Sequence, residues 1–243
     1  MAVDYLDVLQ GSFTILFMII TITVGVLIFS KYFEHRKREL LLVGIAWICL
    51  PFPWIPDVSK FIINLTNISV NNQIMIIVYI ITNVIVVPIP ILCWLIAITN
   101  MLTMKIQTRK VILIIFAVLS AIFEAIVIYY LITDIHQIGT FSGPFLIRWA
   151  LYVELTFIIF ISVVLITGIL FARESIRSDN PEIKLKGKFL LAAFISLSIG
   201  GILDVMFTDV ITNVASRLIL MMTSILFYFG LMLPEKIKEI LLK

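Results

Sequence analysis

Between Gln73 and Met104 the chain carries no charged side chain, and six further runs are free or nearly free of charge: Val8–Ser30, Leu40–Pro56, Val111–Thr133, Trp149–Ala172, Phe189–Thr208 and Val210–Leu233. Roughly 17 to 25 apolar residues let an α-helix cross a hydrocarbon core, and a helix satisfies its own backbone where lipid offers no partner. A membrane barrel would need short strands of alternating polarity, which these runs lack. The spacing therefore predicts an all-α, polytopic membrane protein with seven transmembrane helices, over 8–31, 40–56, 73–103, 110–133, 146–173, 186–207 and 211–233. Composition agrees: 62% of residues are hydrophobic, 14% are charged and mean hydropathy is +1.17, too little charge to clothe a water-facing surface.

The gaps supply an independent test. Lys31, Arg36, Lys37 and Arg38 follow the first run; Lys105, Arg109 and Lys110 the third; Arg173, Arg177, Lys184, Lys186 and Lys188 the fifth; Lys236, Lys238 and Lys243 the seventh. Fifteen of the eighteen basic residues thus fall in every second gap, leaving only Lys60, Arg148 and Arg217 elsewhere. Basic loops stay cytoplasmic, which predicts an external N-terminus, a cytoplasmic C-terminus and residence in the cell membrane. Asp4 and Asp7 stand where a signal peptide would be basic, so the first run reads as an inserted helix. The net charge of +3 belongs to the rim facing anionic headgroups, and it implies the lipid bilayer rather than nucleic acid as partner.

Local features refine this picture. Residues 57–72 form the main external loop, part of it (Ser59–Leu65) a candidate interfacial helix, with formal glycosylation acceptors at Asn64 and Asn67. The stretch WICLPFPWIPD ends the second helix, and Trp47 and Trp54 read as an interfacial aromatic belt ahead of a ligand-lining role. Pro88 and Pro90 predict a kink in the third helix. Asp179-Asn180-Pro181 is a turn signal. Residues 234–243 form a short cytoplasmic amphipathic segment with Ile237, Ile240 and Leu241 on one face. Cys49 and Cys93, without a CxxC pair, indicate packing rather than a disulfide or a metal.

Four ionisable residues fall inside the apolar runs: Glu124, Glu154, Asp204 and Arg217. Such residues are expensive in lipid, face the bundle interior and mark functional sites. From the helical rise they lie at depths of about 6 to 10 Å from the outer ends. The short connection at Asp209 makes the last two helices neighbours, so Arg217 is expected to pair with Asp204 or Glu154. Asn213, Arg217, Met221 and Ser224 share one face of the seventh helix, and Ser120 shares a face with Glu124. The candidate ligand-binding or ion-pair residues are therefore Arg217, Asp204, Glu154, Glu124 and Asn213. Two uses compete: an ion pair that locks helices five to seven together, or an outward-facing polar site for a small ligand, ion or proton.

No enzyme is expected, because HExxH, GxSxG, GxGD, P-loop and dinucleotide patterns are all missing. No cofactor is implied, and a retinal pigment is excluded because the seventh helix holds no lysine before Lys236. The segments SKYFEHRKRELLLVGIAW, IKLKGKFLLAAFISLSIGGILD and YFGLMLPEKIKEI resemble seven-helix sensory input modules of archaeal and bacterial histidine kinases, and also standalone archaeal multipass membrane proteins. That resemblance implies a sensor or receptor-like module. With no kinase after the seventh helix, it implies a separate cytoplasmic signalling partner. A small proton-coupled transporter and a non-catalytic membrane assembly subunit are the alternatives.

Overall fold

The structure, a computed structural model, describes residues 5–66, 68, 70–102, 104–141, 147–207 and 209–242. Its helices are α1 (Tyr5–His35), α2 (Arg38–Cys49), α3 (Ile55–Thr66), α4 (Asn72–Ile80), α5 (Pro88–Met101), α6 (Ile106–Thr133), α7 (Leu151–Ile176), α8 (Pro181–Met206), α9 (Val210–Met232) and α10 (Glu235–Leu241). Among the described residues seven continuous or nearly continuous helical stretches are long and apolar enough to cross a membrane: α1, α2 with α3, α4 with α5, and α6 to α9 singly. The fold is that of a multipass helical membrane protein.

Four differences from the sequence reading have an identifiable local cause. The second helix does not end at residue 56: a 3₁₀ turn at Phe52–Trp54 redirects the chain into α3. Pro56 fits there because a first helical turn leaves its N–H positions unpaired. The third helix is broken rather than merely kinked. A π-helical turn at Ile81–Ile85 closes with the Val86 N–H reaching back to the Ile81 carbonyl (3.0 Å), and α5 restarts at Pro88, whose missing N–H suits a new first turn. The all-α expectation fails locally, since a short antiparallel ribbon joins β1 (Gly139–Phe141) to β2 (Ile147–Trp149). Residues 147–149 pair in that ribbon, so α7 begins at Leu151 and not at 146. The eighth helix starts early, at Pro181, where the Asn180 side chain accepts from the Glu182 and Ile183 amides and so caps it.

Along the bundle α8 packs on both α7 and α9, α1 on α2 and α9, and α2 on α5, while α6 is peripheral. The core is aromatic: Trp47 stacks on Phe227 (3.6 Å between centroids), and Trp94 lies 5.1 Å from Phe194. Glycines allow the closest crossings, since a Cβ on Gly25 would lie 2.7 Å from the Ile48 amide nitrogen and one on Gly44 2.7 Å from the Phe29 Cα. The basic turns all gather at one end of the bundle. The other end contains the cavity.

Candidate functional site: a charged, tryptophan-lined cavity

Arg217 lies near the start of α9, a helix capped by the Asp209 side chain accepting from the Thr212 amide (2.9 Å). Asp209 is exposed in the turn, and the bonds from Thr212 hold its carboxyl below the usual carboxylate range. Two turns further on, Arg217 is only 2% exposed. Its guanidinium donates from Nη1 to Asp204 Oδ1 and to Ser216 Oγ (3.0 Å), from Nη2 to Asp57 Oδ2 (2.9 Å) and from Nε to Thr14 Oγ1 (3.3 Å). The group also sits 5.2 Å from the centre of the Trp54 ring, within reach of its negative face. Trp54 in turn donates its indole N–H to Asp204 Oδ2 (2.8 Å) and packs edge-on against Phe17 (5.0 Å). One arginine thus ties together α1, α3, α8 and α9.

The physical logic is compensation. A buried guanidinium needs counter-charge and acceptors for its donors, and here two carboxylates and two hydroxyls provide them. Removing any one member leaves the rest imperfectly satisfied in a medium of low dielectric.

Beside this cluster opens a cleft of about 770 Å³, a size typical of small-molecule sites. Asp57, Asp204 and Arg217 form one wall, with Glu154 and Asn213 also on the lining. The chain has four tryptophans, and all of them, Trp47, Trp54, Trp94 and Trp149, line this one cleft. Trp47 and Trp54 are therefore not a lipid-facing belt: they are 3% and 9% exposed and turned inward. The indole N–H of Trp47 is buried without an acceptor among the described residues. Trp94 donates to Thr167 Oγ1 (3.0 Å).

The structure sorts the sequence-chosen residues. Arg217 and Asp204 meet directly, as the tight turn between their helices requires. Glu154 does not pair with Arg217. It shares the cleft, and among the described residues its carboxylate has no hydrogen-bond or ion-pair partner. Asn213 lines the cleft, its carbonyl accepting from Ser216 (2.9 Å). Glu124 is partly exposed on α6 and is not part of the lining. Asp57, assigned to an external loop by sequence, is the residue that was missed; it sits in the first turn of α3, and its side chain is 16% exposed. Asn64 lies inside α3 on the cleft lining, a poor position for a glycan, and Asn67 lies outside the described residues.

Compared with known proteins, the chain matches no family model, no curated protein and no solved structure. The functional reading rests on the geometry above.

Proposed function

We propose that this chain is a receptor-like module of the cell membrane that binds a small ligand from outside and reports it to a separate cytoplasmic partner. The N-terminus is external and the C-terminus cytoplasmic in this reading, supported by the alternation of basic gaps. The cleft then opens on the face opposite the basic loops. Binding is favoured over catalysis because Asp57 and Asp204 are engaged by Arg217 rather than poised beside a nucleophile.

The observation that carries the proposal is the cleft itself: about 770 Å³, walled by every tryptophan in the chain and holding a buried ion cluster. A purely structural ion pair does not require an adjoining cavity, and tightly packed interiors leave few voids. A route for the signal is also present. The α8–α9 pair carries Asp204 and Arg217 at one end. At the other, Glu182 at the start of α8 binds Lys186 (2.8 Å) and Lys238 of α10 (2.5 Å). A ligand that shifts α8 against α9 therefore moves the base to which α10 is clipped.

The test is purification from native membranes with mass spectrometry of bound small molecules and of cross-linked soluble proteins. The expected result is a specific small molecule that is lost in a folded Gly201→Phe variant, together with a cytoplasmic protein cross-linked near α10. Wild-type protein carrying neither would overturn the proposal. Transport is the second reading, favoured by one feature: the broken helix α4–α5 lines the cleft through Tyr79, Asn83 and Pro90, and discontinuous helices are common at transporter sites. Ligand-driven uptake into proteoliposomes would favour it over signalling.

A further inference from the structure

We infer that the ligand of this cleft is a lipophilic organic cation and that Glu154 is its counter-charge; this rests on reading the cleft as a ligand site. The first ground is charge. Among the described residues three carboxylates line the cleft, Asp57, Asp204 and Glu154. Arg217, the one deeply buried cation among the described residues, binds the first two and spends a further two bonds on Ser216 and Thr14. Glu154 is left over, in the first turn of α7, where the positive helix end favours a negative side chain. Lys60 and Arg148 also line the cleft: Arg148 is exposed, so water screens its charge, and Lys60, half-exposed like Glu154, stands one turn from Asp57 on α3 and acts on that carboxylate.

The second ground is the wall. Aromatic faces carry a negative quadrupole that attracts cations, tryptophan most strongly, and four indoles together with Tyr79 and Phe157 surround this space. An anion would meet three carboxylates and an arginine whose bonds are already committed. A neutral ligand would displace water from around Glu154 and leave its charge uncompensated. A bulky apolar cation satisfies both grounds at once: its charge offsets Glu154 and its surface fills the aromatic space.

The experiment is equilibrium binding of radiolabelled tetraphenylphosphonium to the purified full chain in detergent, with intrinsic tryptophan fluorescence as a second readout. Tetraphenylborate, an anion of the same shape, is the comparison. The expected result is saturable binding of the cation, at least about tenfold weaker in Glu154→Gln, restored in Glu154→Asp, and no saturable site for the borate. Thermal unfolding of each variant separates lost binding from lost folding, and Glu154→Asp keeps the test decisive where the glutamine variant is unstable. Borate binding in preference to the phosphonium, or wild-type affinity in folded Glu154→Gln, would overturn the cationic assignment and leave the ligand site standing. Absence of cation binding alongside a copurified neutral or anionic molecule would do the same. Absence of both would remove the ligand site as well.

Discussion

The two ends of this bundle are built by opposite means. From mid-depth to the basic end, helices touch through glycine: a Cβ on Gly187 would lie 2.7 Å from the Ile176 amide nitrogen and 2.9 Å from the Ala172 carbonyl oxygen. At the cavity end the glycines meet side chains instead, Gly11 the Phe61 ring and Gly201 the Ile161 side chain, and the helices are joined by polar side chains that span a gap, with Arg217 reaching Asp57, Asp204, Ser216 and Thr14. In lipid, association draws on close packing and on interhelical polar contacts; here glycine-to-backbone packing marks the basic end and the polar contacts mark the cavity end. Close-packed backbone resists displacement, whereas a network of long side chains can re-form around a guest. On the proposed reading, the contrast lets one end admit a ligand while the other holds the bundle together.

The contrast can be broken at either end. The largest effect is expected from Arg217→Met, which leaves Asp57 and Asp204 buried without their counter-charge; breaking such a pair costs about 3–5 kcal/mol, measurable by unfolding in detergent. Arg217→Lys, keeping the charge but losing the fork, should fall between. A loss below about 1 kcal/mol, the scale of an exposed ion pair, would mean that the network does not hold the cavity end. Next comes Gly187→Ala, which forces a methyl against backbone and should cost about 1–3 kcal/mol as overpacking does. Gly201→Ala, at the cavity end, meets only the flexible Ile161 side chain at 3.2 Å and should stay within about 0.5 kcal/mol, as unconstrained sites do. Equal effects at the two glycines would erase the contrast.

Trp54→Phe keeps a ring near Arg217 but removes the N–H that Asp204 accepts. The expected loss is about 1.5 kcal/mol, the low end for a hydrogen bond to a charged group, with tryptophan emission shifted as well. The smallest effect concerns α10. The bond to Glu182 raises the Lys238 ammonium above the usual lysine range, so the clip contributes below the ordinary lysine value and is lost as pH rises through the raised one. Amide exchange in α10 should therefore accelerate at strongly alkaline pH, and in Lys238→Met at neutral pH, while exchange around Arg217 is unchanged.

Much of this architecture was legible in the sequence because hydrocarbon leaves so few choices. The apolar runs gave the long helices, and the short turn at Asp209 made the last two helices neighbours and left Arg217 two candidate partners, Asp204 and Glu154, of which the structure joins it to Asp204. Asp57 was illegible for the opposite reason. Pro51, Pro53 and Pro56 signal a helix end, yet they redirect the chain into α3, and its partner Arg217 lies 160 residues away. Glu154 was placed too far into its helix, because residues 147–149 pair in the ribbon and α7 begins only at Leu151; its azimuth, which depth along a helix does not determine, was not legible either. Trp47 and Trp54 misled because each suits a membrane interface; only the fold brings all four tryptophans to one space. The ribbon at Gly139 and Trp149 was hidden because three-residue strands carry no periodicity to read.

The native cysteines provide the most direct test. Cys49 lines the cleft and Cys93 does not, although both are half-buried. In sealed vesicles of known orientation, a small membrane-impermeant thiosulfonate should modify Cys49 in a Cys93→Ser background when added on the side opposite the C-terminus. It should spare Cys93 in a Cys49→Ser background, and reagent on the C-terminal side should modify neither. Modification of Cys49 from the C-terminal side alone, or of Cys93 in preference to Cys49, would contradict a cleft that opens away from the basic loops.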